Sequence, residues 1–108
     1  MPALAGYADV CAFDELPNGG RAVFSIGGKS VLCIRLNREV LAVVNECTHL
    51  KQRLDGGRVI GHQISCPAHG ACFDMITGRV LSGPAVIPLH TLATRIQGGR
   101  VLVALPAA

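Results

Sequence analysis

"ECTHL" at residues 46–50 and "SCPAHGACFD" at 65–74 decide how this chain is read. Each sets a cysteine beside a histidine, Cys47 with His49 and Cys66 with His69, and sixteen residues (50–65) separate the two pairs. Half of the four histidines and two of the five cysteines thus fall in two short boxes. A cysteine and a histidine two or three positions apart can ligate one metal if the chain turns between them. Pro67 bends the second box, and Gly70 lets the backbone approach closely because it has no Cβ. Two such loops facing each other offer two thiolates and two imidazoles. That donor set suits Zn²⁺ in a tetrahedral site. It equally suits a [2Fe–2S] cluster with both cysteines on one iron and both histidines on the other. Zinc fingers usually pair cysteine with cysteine and histidine with histidine, the latter on a helix. Here each box offers one of each, and no helix is at hand.

The surroundings read as β. Strand-type runs are "RAVFSI" (21–26), "SVLCIRL" (30–36), "EVLAVVN" (39–45), "RVIGHQIS" (58–65), "LATRI" (92–96) and "RVLVAL" (100–105). The turn signals "GGK", "NR", "DGG" and "QGG" punctuate them. Short strands separated by glycine-rich turns predict an antiparallel sandwich or small barrel. The one helix-like stretch is a turn at "FDELP" (13–17), stopped by Pro17. Residues 46–85 hold both boxes, many glycines and few long strands, and read as a small loop-rich unit set into a β scaffold. With no repeat and no linker, residues 1–108 read as one domain.

Composition excludes several classes. No apolar run reaches the length of a membrane span. The start, "MPALAGYADV", has neither a basic n-region nor an apolar h-region, so a cytoplasmic location is expected. Five cysteines is an odd number, and their spacing is unlike a secreted disulfide framework. The net charge of +3 comes from scattered basic residues with few aromatics among them, which excludes a nucleic-acid surface. His62 and His90 lie on strand runs or their edges and are expected to be surface or packing residues. Cys11 and Cys33 are expected to act as small buried hydrophobes. Cys72 stands near the second box, yet the four-donor set is complete without it. The Gly-Gly pairs at 19–20, 27–28, 56–57 and 98–99 are turn punctuation, with no strand–helix phosphate loop among them.

At Cys47-Thr48-His49 and Cys66-Pro67-Ala68-His69 the chain resembles the Rieske family, whose signature is C-x-H, a spacer of about sixteen residues, then C-x-x-H. The likeness continues through "LDGGRVIGHQISCPAHG", through "FDMITGRVLSGPA" (73–85) and into the flanks "FDELPNGG" and "LATRIQGGRVLVAL". It implies an all-β fold, a Rieske-type antiparallel β-sandwich or incomplete barrel with a small loop-rich cluster-binding subdomain at about 46–85. It implies one [2Fe–2S] cluster per chain, held by Cys47 and Cys66 on one iron and by Nδ1 of His49 and His69 on the other. The Gly83-Pro84-Ala85 loop would cover it. The expected role is one-electron transfer, not catalysis, since no second set of two histidines and a carboxylate remains for oxygen activation.

Departures place the chain within that resemblance. The respiratory type carries a disulfide-forming cysteine in each box, where Gln52 and Ala68 stand here. It also carries a serine and a tyrosine that donate to sulfur, where Ala71 and Phe73 stand. These changes imply the low-potential ferredoxin branch. Its members are carriers that take electrons from an NAD(P)H-dependent flavin reductase and pass them to a terminal Rieske oxygenase acting on aromatic rings, and this chain is expected to act as a monomer. A Rieske subunit of a larger redox enzyme, such as the small subunit of a nitrite reductase, is the alternative, followed by a zinc-stabilised binding domain. The docking face is expected to be apolar, from Leu50 and Gly83-Pro84-Ala85, with Lys51 and Arg53 on its rim, where the family often has small residues.

Overall fold

Two-residue turns rich in left-handed glycine build most of the chain as hairpins. The structure, a computed structural model, describes residues 6–48, 51–68, 70–85 and 87–106. Strand β1 (Tyr7–Ala12) leads through a 3₁₀ turn (Phe13–Glu15) to β2 (Arg21–Ile26), β3 (Lys29–Leu36) and β4 (Glu39–Val44). Four short strands follow: β5 (Arg58–Ile60), β6 (Gln63–Ser65), β7 (Cys72–Asp74) and β8 (Val80–Ser82). The chain closes with β9 (Thr91–Leu92), β10 (Thr94–Gln97) and β11 (Arg100–Ala104). The strands form three antiparallel sheets, ordered β1-β11-β10, β2-β3-β4-β9 and β5-β6-β7-β8. No α-helix occurs among the described residues, so none is long and apolar enough to cross a membrane. The all-β expectation holds, and "FDELP" supplies only the 3₁₀ turn.

One expected strand divides. "RVIGHQIS" is a hairpin, β5 and β6, with Ile60 opposite Gln63. Gly61 has φ +57°, which a two-residue II′ turn requires at its first central position. His62 therefore sits in the turn. Its carbonyl accepts the Met75 N–H at 2.8 Å, and its Nε2 meets Glu39 Oε1 at 2.6 Å. Likewise "LATRI" breaks at Ala93 into β9 and β10.

The second sheet is a shared wall. Successive side chains of a strand point to opposite faces. Val31, Leu32, Cys33 and Ile34 are all almost fully buried, so both faces of β3 are covered. Val31 and Cys33, with Val40 and Ala42 of β4, pack against Cys11, Val101 and Val103 of the first sheet. Leu32, Ile34 and Val43 pack in the other direction, against Ile64, Phe73, Cys47 and Cys66. Cys11 and Cys33 are indeed core residues. Burial pushes the Cys33 thiol up to about 12 and raises Cys11, so both stay neutral and inert.

Candidate metal centre

Both boxes are closed by the same pair of backbone hydrogen bonds. In the first, the Lys51 N–H donates to the Cys47 carbonyl at 2.7 Å and the Cys47 N–H donates to the Gln52 carbonyl at 2.6 Å. In the second, the Gly70 N–H donates to the Cys66 carbonyl at 2.9 Å and the Cys66 N–H donates to the Ala71 carbonyl at 2.7 Å. Each loop thus runs from a cysteine to a residue four places on, and that residue is left-handed: φ is 58° at Lys51 and 76° at Gly70. Gly70 is needed for this φ, not for close approach, because a Cβ there would meet nothing within 4 Å. Two boxes of different spelling therefore share one scaffold.

The sulfurs lie at matching places in these loops. Cys47 is 0 % exposed and Cys66 is 2 % exposed, and both belong to one apolar cluster with Leu54, Ala71, Phe73 and Ala85. Two thiols brought together from separate loops, dry and walled by apolar side chains, fit a thiolate-bound metal. His49 and His69 lie outside the described residues, as does Leu50.

The third sheet supplies one wall. Val59, Ile64, Phe73 and Val80 stand opposite one another across β5 to β8 and face the cluster of buried residues. Cys72 falls on the other face, between Ser65 and Ser82, with its Sγ 3.8 Å from Gln63 Oε1. It is turned away from the two boxed cysteines. His90 is exposed, and its carbonyl accepts the Val44 N–H at 2.8 Å.

A polar brace, not evident from the sequence, holds the first box. Asn45 is the buried polar residue of the described core, at 4 % exposure. Its Oδ1 accepts the Leu54 N–H at 2.9 Å, and its Nδ2 donates to Asp55 Oδ1 at 3.0 Å and to Ser30 Oγ at 3.2 Å. The return leg of the loop is thereby tied to β3. Arg21 Nη1 donates to the carbonyls of Asp55 and Gly57, at 2.9 and 2.7 Å. The Thr48 hydroxyl donates to the Ile87 carbonyl at 2.6 Å, joining the box to a distant part of the chain. Arg53 Nε contacts Asp55 Oδ1 at 2.9 Å. Hydrogen bonds from Arg53 and Asn45 hold the Asp55 carboxyl down to about 2. The only sequence signal for the brace was a polar residue ending an apolar strand run. Ala85, expected on the docking surface, is buried instead at 3 %, because it fills the core beside the cysteines. Among the described residues there, Pro84, Ile87 and Pro88 are exposed instead, Ile87 at 59 %.

The family model for the Rieske [2Fe–2S] domain matches residues 6–93. The ferredoxin component of the naphthalene 1,2-dioxygenase system of Pseudomonas aeruginosa is 33 % identical over 99 residues, covering 92 % of this chain and 95 % of that protein. The ferredoxin of carbazole 1,9a-dioxygenase from Nocardioides aromaticivorans IC177 superposes with a TM-score of 0.88 at 30 % identity, over 94 % of this chain and 100 % of that one. A solved complex of reduced oxygenase and oxidized ferredoxin in carbazole 1,9a-dioxygenase matches at 29 % identity and a TM-score of 0.84, over 92 % of this chain and 93 % of the matched one.

Proposed function

The chain belongs to the Rieske [2Fe–2S] domain family, and from that premise we propose that Cys47 and Cys66 hold one iron of its cluster and His49 and His69 the other. It is a Rieske-type ferredoxin, an electron-transfer component and not itself a catalyst. The bound cluster supplies one-electron transfer, at potentials that for this ligand class span roughly −150 to +300 mV. The protein's own residues hold the two sulfurs in place and keep water from them. Ala71 and Phe73, both fully buried in that wall, bring no hydroxyl to sulfur. The electron-rich state is then less stabilised, which sets the potential toward the low end. Residues 46–85 act as the cluster-binding unit of a single domain, 1–108.

The electrons come from an NAD(P)H-dependent flavin reductase and go to the terminal oxygenase of a ring-hydroxylating dioxygenase system, with this chain acting as a monomer in the cytoplasm. The observation that carries the ligand reading is the burial of Cys47 and Cys66 together in two loops of identical closure. The shuttle role, in preference to a fixed subunit, is supported by similarity to ferredoxin components matched over nearly their whole length. Iron and acid-labile sulfide analysis of fresh protein, with absorption and electron paramagnetic resonance spectra, tests the first point. Equal iron and sulfide are expected, lost in Cys47→Ser and Cys66→Ser; zinc without sulfide would overturn it. Turnover reconstituted with a flavin reductase and a ring-hydroxylating oxygenase should require this protein. A stable complex on purification would instead favour the fixed subunit.

A further inference from the structure

Resting on the cluster reading above, the matched geometry of the two boxes singles out one side chain on the rim of the expected docking face. Gly70 occupies the left-handed position of the second loop, and Lys51 occupies it in the first. The Lys51 N–H is bonded to the carbonyl of Cys47, so its Cα is fixed to the backbone of a proposed ligand. Its side chain is exposed. Ion pairs among the described residues are Arg53–Asp55, His62–Glu39 and Arg100–Asp9, and Lys51 is in none of them. Arg53 differs. Its Nε and Nη2 reach the two oxygens of Asp55 at 2.9 and 3.3 Å, so its charge is matched where it stands. A matched pair acts at a distance as a dipole and fades faster than a lone charge. Next to Lys51 along the chain, Gln52 is exposed and uncharged, and exposed Pro67 and Ala68 of the second box and Pro84 and Ile87 beyond it carry no charge.

We propose that Lys51 is the unmatched cation that makes this face select an anionic electron partner, a protein presenting carboxylates at its contact. Small redox ions of opposite sign test it on the intact holoprotein. The reduced protein is mixed in a stopped-flow instrument with hexacyanoferrate(III), an anion, or with tris(1,10-phenanthroline)cobalt(III), a cation, at low and high salt. Lys51→Gln should slow oxidation by the anion about threefold at low salt and speed oxidation by the cation, and salt should erase both effects. Lys51→Arg, which keeps the charge, should change neither rate. Arg95→Gln removes one charge from the first sheet, away from the boxes, and should also change neither. A shift of potential would move both rates in the same direction, so opposite responses isolate the charge. Equal rates for Lys51→Gln and the unaltered protein, or equal effects of Lys51→Gln and Arg95→Gln, overturn the inference while the cluster spectrum stands. A protein without that spectrum would overturn the cluster reading itself and this inference with it.

Discussion

On the proposed ligand set, Ala71 and Phe73 are single side chains that would tune the potential from inside a wall. Both are fully buried in the same apolar cluster as the boxed cysteines, at the positions where the respiratory type carries its donors to sulfur. Ala71→Ser and Phe73→Tyr should each raise the midpoint potential, by up to about 100 mV if the donor forms fully. Voltammetry giving a lower potential in both variants would sink the assignment of these positions. Asp55 gives a different kind of test. Its folded-state value of about 2 lies below the ordinary 3.8, so the carboxylate form favours folding. That contribution is fully present above about pH 4 and is lost as pH falls through 2. Urea denaturation should therefore show stability dropping across that window, and Asp55→Asn should flatten the drop while lowering stability at pH 7. A slope that survives in the variant would place the acid sensitivity elsewhere.

At the scale of elements, the loops and their supports divide the work. Gly57 lies in the spacer where a Cβ would collide with the carbonyl oxygen of Ser65, at the end of β6. Gly57→Ala must push the spacer off the third sheet, and a cost of about 1–3 kcal/mol is expected, with faster loss of cluster colour on heating. Unaltered melting would mean that the spacer can slide. The Asn45 brace is the counterpart on the other side. Asn45→Ala leaves the buried Leu54 N–H without its acceptor and removes one of the donors to Asp55, which should cost about 1–3 kcal/mol by chemical denaturation. A loss under 1 kcal/mol would mean that water replaces the side chain. These supports also mark where sequence reading ends. The boxes stood out because metal chemistry demands particular residue types at particular spacings, and the structure brings Cys47 and Cys66 into one buried cluster. The hairpins of the second sheet were legible from strand-type apolar runs and the turn signals between them, Gly27-Gly28 and Asn37-Arg38. The brace was not, because Asn45, Ser30, Arg21 and Asp55 come from distant parts of the chain and obey no period. The split of "RVIGHQIS" was missed because Gly61 sits within an apolar run and only its positive φ reveals the turn. Ala85 was misplaced because a small residue in a loop carries no sign of which way it faces.

At the scale of the molecule, the governing feature is that β3 and β4 carry a core on each face. One core, toward β1 and β11, is made of ordinary apolar side chains and contains neither boxed cysteine. The other contains both, and on the proposed ligand set it depends on the cluster they hold. Removing the iron should therefore loosen one face and spare the other. In amide hydrogen exchange, protein stripped of its cluster should keep protection in β3 and β11 while β6 and β7 exchange early. Uniform loss along the chain would show that the faces stand or fall together. The same division bears on how the protein comes into being. A newly made chain can complete the iron-free face from its own sequence and hold the cysteine loops open against a finished wall. Cluster delivery then meets a partly assembled receptor instead of an unfolded chain, and insertion becomes the closing step of folding.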